Sequence, residues 1–185
     1  TEPVPAAESF NKEKGLPLSE HKTIYNAKQQ ATMSLLSNLE PNEKIRELFC
    51  TLNTLGYTIG VCSNSIRRTV LTTLAQTDLI KYCSVIMSNE DVKNGKPHPE
   101  MYWKAMSVLG HLPEETIIIE DSPPGLLAAE RSRANYIRVK DPTEVTCENI
   151  LDRIKGESKV SKWKDDKLNV LIPMAGAGSR FEQAG

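Results

Sequence analysis

Glu120 and Asp121 stand inside the stretch TIIIEDSPPGLLAAE, where an apolar, β-branched run meets two adjacent acids, a Ser-Pro-Pro-Gly turn and then a helical pattern. Side-by-side carboxylates at the mouth of a buried strand repel each other, and something must offset that repulsion. A hard cation does so: Mg2+ takes oxygen donors, bridges to phosphate and keeps both acids ionised. Two other short stretches carry matching chemistry. Ser63, Asn64 and Ser65 follow the apolar YTIGVC and precede a helix, where hydroxyls and backbone N–H groups collect anions. Lys96, in NGKPHPE, places an ammonium in a proline-stiffened segment, a good point charge for phosphate. Hydroxyl, lysine and paired acids on successive loops suit phosphoryl transfer, which works by positioning and charge neutralisation.

Other residues in these stretches carry less. Ser65 is a weaker candidate than Ser63, which could itself be a helix N-cap. His98 lies between two prolines and reads as a loop residue. Arg67 and Arg68 read as a solvated helix face, and Tyr102 and Trp103 as packing between helix and sheet.

Apolar strands alternating with helices must position these groups. Strands are expected at 57–62, 84–87, 116–120 and 136–139, and helices at about 66–75, 100–109, 126–131 and 143–154. Two helices precede them. One follows Ser19 as N-cap, with Ile24, Ala27, Ala31 and Leu35 at helical spacing; the other carries Ile45, Leu48, Phe49, Leu52 and Leu55 and ends at Gly56. The alternation predicts an α/β fold with a doubly wound parallel sheet. Ligands in such sheets bind beyond the carboxyl ends of the strands.

Composition narrows the function classes. Lys and Arg number 23 against 24 acids, a net charge of -1, so neither nucleic acid nor an anionic membrane surface is an expected partner. No apolar run reaches the roughly 20 residues of a membrane span, and the N-terminal stretch lacks the apolar segment of a signal peptide. The four cysteines show no C-x-x-C spacing and read as reduced thiols of a cytoplasmic protein.

The order VCSNS, KPHPEMY, IIIEDSPPGLLAA resembles the haloacid-dehalogenase-like (HAD) superfamily over roughly residues 15–155, in the branch of capped phosphatases and phosphoglucomutases. The resemblance implies a small phosphorylated substrate such as a sugar phosphate, and Mg2+ as cofactor. Ser63, with Asn64, would bind the transferring phosphoryl group, Lys96 would neutralise its charge, and Glu120 with Asp121 would hold the metal. The family's nucleophile and acid/base lie in an Asp-x-Asp motif on the first strand, and no Asp-x-Asp occurs in these 185 residues. That motif would precede Thr1, so the chain alone is expected to be inactive, a fragment whose sheet lacks its central strand. A phosphomutase of the same fold and a non-catalytic phosphate-binding module are the alternatives. Asn135 is expected to take the left-handed position ending the helix before the fourth strand.

The tail LNVLIPMAGAGSRF is similar to the opening of sugar-phosphate nucleotidyltransferases, in which Gly176, Gly178, Ser179 and Arg180 would meet the phosphates of an NTP. The expected organisation is a partial helical cap at 1–41, an incomplete HAD-like core at 42–155, a linker at 156–167 and a truncated nucleotidyltransferase-like start at 168–185. A phosphatase joined to a nucleotidyltransferase suggests a bifunctional protein of sugar-nucleotide synthesis.

Overall fold

The computed structural model describes residues 17–157 and the backbone of 169–173. The chain divides into two compact units, Thr1–Leu39 and Glu40–Gly185. In the first, a short 3-10 turn at Leu18–Glu20 leads into helix α1, His21–Leu36. Glu20 stands at its N-cap without a side-chain cap bond, in place of Ser19. Of the expected apolar stripe, Ile24 is half-buried while Ala27, Ala31 and Leu35 are exposed.

The second unit opens with helix α2, Glu43–Thr54. Asn42 starts it by accepting the N–H groups of Lys44 and Ile45 at 3.1 and 3.4 Å, satisfying donors that have no partner inside the helix. Gly56 ends it in the left-handed region at φ +85°. Then follow β1 (Ile59–Cys62), α3 (Arg67–Gln76), β2 (Cys83–Met87), α4 (Glu100–Leu109), β3 (Thr116–Glu120), α5 (Pro123–Ser132), β4 (Asn135–Arg138), α6 (Cys147–Glu157) and β5 (Asn169–Pro173). The sheet is wholly parallel in the order β2-β1-β5-β3-β4.

Alternation along the strands divides the core between two faces. Ile59, Val61, Ile117 and Ile119 face one cluster, built with Leu48, Phe49 and Leu52 of α2, Val70 and Leu74 of α3, and Ile150 and Ile154 of α6. Cys62, Val85, Met87 and Ile118 face the other, built with Met101, Tyr102, Ala105 and Met106 of α4 and Ala128 and Ala129 of α5. Helices thus cover both faces, as the continuous apolar strands require.

Three expectations need correction. The sheet has no central gap: β5 pairs with β1 on one side and β3 on the other, with Cys62 opposite Pro173 and Ile118 opposite Leu171. Unpaired backbone groups along β1 and β3 are costly to bury, and an apolar β-branched segment satisfies both rows at once. Asn135 is not left-handed; Arg133 is, at φ +65°. Asn135 instead begins β4 opposite Ile117, and its side-chain amide donates to the Glu114 carbonyl at 3.1 Å. Helix α5 starts at Pro123, three residues earlier than expected, because Ser122 caps it through the Gly125 N–H and proline suits a first helical turn. The linker assigned to 156–167 begins inside α6, and the rest of it lies outside the described residues, as do Gly176, Gly178, Ser179 and Arg180.

Candidate functional site

Three strands deliver the predicted residues to one rim of the sheet. Ser63 follows β1 immediately; its N–H donates to the Met87 carbonyl at 2.9 Å, tying the end of β1 to that of β2. Its Oγ accepts the Ser65 N–H at 3.2 Å. A hydroxyl that accepts in this way still has its own O–H to donate. Ser63 is buried, Ser65 half-buried and Asn64 exposed.

Asn64 has a different duty from the one its position suggests. Its Oδ1 accepts the Lys96 N–H at 2.9 Å and its Nδ2 donates to the Lys96 carbonyl at 3.0 Å. The side chain clasps the backbone of the lysine loop, an attachment that sequence spacing across 32 residues does not reveal. Other anchors hold the same loop. Glu100 accepts the N–H groups of Lys93 and Asn94 at 2.9 and 3.0 Å, Lys104 donates to the Asp91 carbonyl at 2.7 Å, and Arg131 donates to the Pro97 carbonyl at 3.3 Å. The Lys93 N–H, with those of Asn94 and the Lys104 ammonium against burial, holds the Glu100 carboxyl at about 2.

Lys96 reaches back between β1 and β3. Its ammonium donates to the Cys62 carbonyl at 3.1 Å and to Glu120 Oε2 at 2.9 Å. The Lys96 and Glu120 side chains are only 6% and 2% exposed, so this ion pair is buried and its geometry decides whether it is tolerated. The geometry is good. Tyr102 donates its O–H to Oε2 at 2.7 Å, and Oε1 accepts the Asp121 and Ser122 N–H groups at 3.1 Å each and the Ser122 hydroxyl at 2.8 Å. Burial works to raise the pKa of Glu120, but Lys96, Tyr102 and the Ser122 N–H outweigh it and hold the carboxyl below its ordinary range. Burial, then the Glu120 charge, push the Tyr102 phenol far above its ordinary value, so it stays a donor. Burial pushes the Cys62 thiol up to about 12, so the cysteine beside Ser63 is no nucleophile at neutral pH.

The acids named for a metal therefore differ. Both oxygens of Glu120 are engaged by protein donors, and Asp121, next along the chain, lies half-buried at the mouth of β3. Among the described residues no three His, Cys, Asp or Glu side chains gather as a metal cluster. The set fits Mg2+ as part of a shell, with Asp121 as carboxylate ligand and Glu120 beside it, since Mg2+ is commonly held by one or two carboxylates with water and phosphate. The ion would supply charge neutralisation to a phosphoryl group.

Residues weighed and set aside lie elsewhere. The Arg67 guanidinium pairs with Asp91, and the Arg67 N–H is held by Glu90 at 2.6 Å, so a carboxylate already meets this N–H at the start of α3. His98 is exposed, accepts the Glu100 N–H at 3.2 Å and stands edge-on to Trp103. Tyr102 and Ser122 are the site residues that spacing missed. A buried phenol must find a polar partner, and that rule was the available signal for Tyr102.

Comparison with known proteins bears on the family and the fold. The model of the haloacid dehalogenase-like hydrolase family matches residues 5–139, and the chain belongs to that family. Over 119 residues it is 31% identical to pyrophosphatase PpaX of Halalkalibacterium halodurans, covering 58% of this chain and 55% of that protein. A phosphorylated carbohydrates phosphatase of Thermotoga maritima is 30% identical over 109 residues, 59% of this chain and 49% of that one. The chain thus spans about half the length of these relatives. Among solved structures, the β-phosphoglucomutase of Clostridium difficile superposes with a TM-score of 0.66 at 20% identity, over 83% of this chain and 73% of that one. This last likeness is one of fold.

Proposed function

We propose that this chain forms part of a Mg2+-dependent phosphatase acting on a small phosphorylated metabolite such as a sugar phosphate. One observation carries the reading: the Lys96 ammonium sits at the carboxyl ends of β1 and β3, against the Cys62 carbonyl and the Glu120 carboxylate, one residue from Ser63. Ser63 donates its hydroxyl to a phosphoryl oxygen, and Lys96 offsets the charge of that group. An ammonium has three N–H donors, so two can serve the protein and one the phosphate. Asp121 holds the ion with Glu120 beside it, and Mg2+ neutralises charge on the phosphate when bound. The names of the relatives, a pyrophosphatase and a carbohydrate phosphatase, support the substrate class. The nucleophile is expected on an Asp-x-Asp strand preceding residue 1.

The tail reading belongs to the same proposal: the full protein joins this phosphatase to a nucleotidyltransferase that takes an NTP. Its first strand would be LNVLIP, the segment that here serves the core sheet as β5. Residues 169–173 cannot hold both places at once, so the second activity requires β5 to leave the sheet; the Asp-x-Asp strand of the phosphatase needs the same central place between β1 and β3.

The test is hydrolysis of a panel of phosphate monoesters by a protein extended upstream through an Asp-x-Asp strand. Mg2+-dependent turnover is expected, falling about a hundredfold or more in Asp121→Asn and in Lys96→Ala. Turnover undiminished in Asp121→Asn would remove the metal role, and turnover without Mg2+ would remove the class.

A further inference from the structure

Tyr102 is completely buried on the face of α4 turned to the sheet, and a phenylalanine would fill that volume equally well. Its hydroxyl is therefore surplus to packing, and burying it is costly unless it is bonded. It is bonded to Glu120 Oε2, the oxygen that also receives the Lys96 ammonium. The ring takes part as well, since Lys96 Nζ lies 4.9 Å from its centroid, within reach of cation–π attraction. Tyr102 thus touches both members of the ion pair, one through its edge and one through its face. The other Glu120 oxygen is fixed by the loop that begins α5, so the carboxylate cannot swing away. With the Asn64 clasp on its backbone, Lys96 is held at both ends.

We infer that Tyr102 is a positioning residue of the phosphate site, its hydroxyl and ring fixing the Lys96–Glu120 pair so that the ammonium points along the rim beside Ser63. This rests on the phosphatase reading for its purpose, but the clamp itself is a property of the chain. A flexible lysine loses rotational freedom when it meets a phosphate; one already held does not, which is the gain from preorganisation.

The experiment uses the 185-residue protein and inorganic phosphate. Calorimetric affinity for phosphate is expected to fall about five- to tenfold in Tyr102→Phe, the cost of ordering one long side chain on binding. In Glu120→Gln the same Tyr102→Phe change should cost less than about twofold, because the bond through which the hydroxyl acts is already weakened. A purely structural tyrosine would not show that dependence. The Lys96 ammonium resonance in 15N NMR should be sharp in the unaltered protein and broaden in Tyr102→Phe. Should Tyr102→Phe not fold, contacts between the Lys96 ammonium protons and the Tyr102 ring in the unaltered protein decide the matter: their presence supports the clamp and their absence overturns it. Affinity within twofold of the unaltered protein, with an unchanged ammonium signal, would also overturn it. If the unaltered protein bound no phosphate, the placing of a phosphate at Ser63 and Lys96 would fail, while the ammonium signal would still judge the clamp.

Discussion

A methyl group added at Gly125 would lie 2.0 Å from the Glu120 carboxylate, a measure of how tightly that side chain is enclosed. Enclosure makes its partners indispensable. Removing Lys96 would leave a buried carboxylate without its cation, and breaking one side of a buried pair costs about 3–5 kcal/mol. Lys96→Met is accordingly expected to lose about that much stability in chemical denaturation. Combining it with Glu120→Gln should recover most of the loss, because the uncompensated charge goes with it. A double variant as unstable as Lys96→Met alone would show that the lysine stem, not the charge, matters. Asn64 teaches the same lesson: at a loop tip beside Ser63 it reads as a phosphate ligand, yet both ends of its amide are bonded to the Lys96 backbone.

Strand β5 is the element on which the sheet's continuity depends. The ladders on its two sides join a β2-β1 half, which carries Ser63, to a β3-β4 half, which carries Glu120 and Asp121. A chain ending at residue 167 would leave facing edges of β1 and β3 unpaired. Several ladder bonds at about 0.5–1.5 kcal/mol each would be lost, and stability is expected to fall by about 3 kcal/mol or more. Amide hydrogen exchange should show β1 and β3 losing protection together. Unchanged protection in both strands would place residues 169–173 outside the sheet. The periodicity of LNVLIP declares a buried strand but not its sheet, since a strand's neighbours lie far away in sequence.

At the scale of the whole molecule, acid sensitivity follows from carboxylates that bind protein groups. Glu100 titrates at about 2 when folded against an ordinary 4.5, chiefly through the Lys93 N–H and then the Asn94 N–H. For Asp91, hydrogen bonds from Ser88 and the Arg67 charge outweigh burial and lower the carboxyl. Groups depressed in the folded state bind fewer protons there than in the unfolded chain, so the stability they contribute is complete above the ordinary range and is lost as pH falls. For Glu100 the loss runs from about 4.5 down towards 2. Melting temperature should therefore drop steeply across that window, and Glu100→Gln should flatten part of the drop while lowering stability near neutrality. A Glu100→Gln profile parallel to that of the unaltered protein would sink this account. Among the described residues no helix is long and apolar enough to cross a membrane.

The sequence by itself determined the α/β class, the parallel sheet and the loops that carry Ser63, Lys96, Glu120 and Asp121, because apolar periodicity and turn residues act over a few positions. The elements begin and end within a few residues of where local chemistry places them, and Gly56 takes the left-handed turn it suggests. Only the tertiary structure decided what each side chain does at the rim. Glu120 is directed inward to Lys96, Tyr102 and Ser122 rather than outward, Arg133 rather than Asn135 bends the chain, and β5 fills the centre of the sheet. Those outcomes depend on which buried polar groups find partners across the fold, and partners separated by tens of residues leave no mark on local pattern.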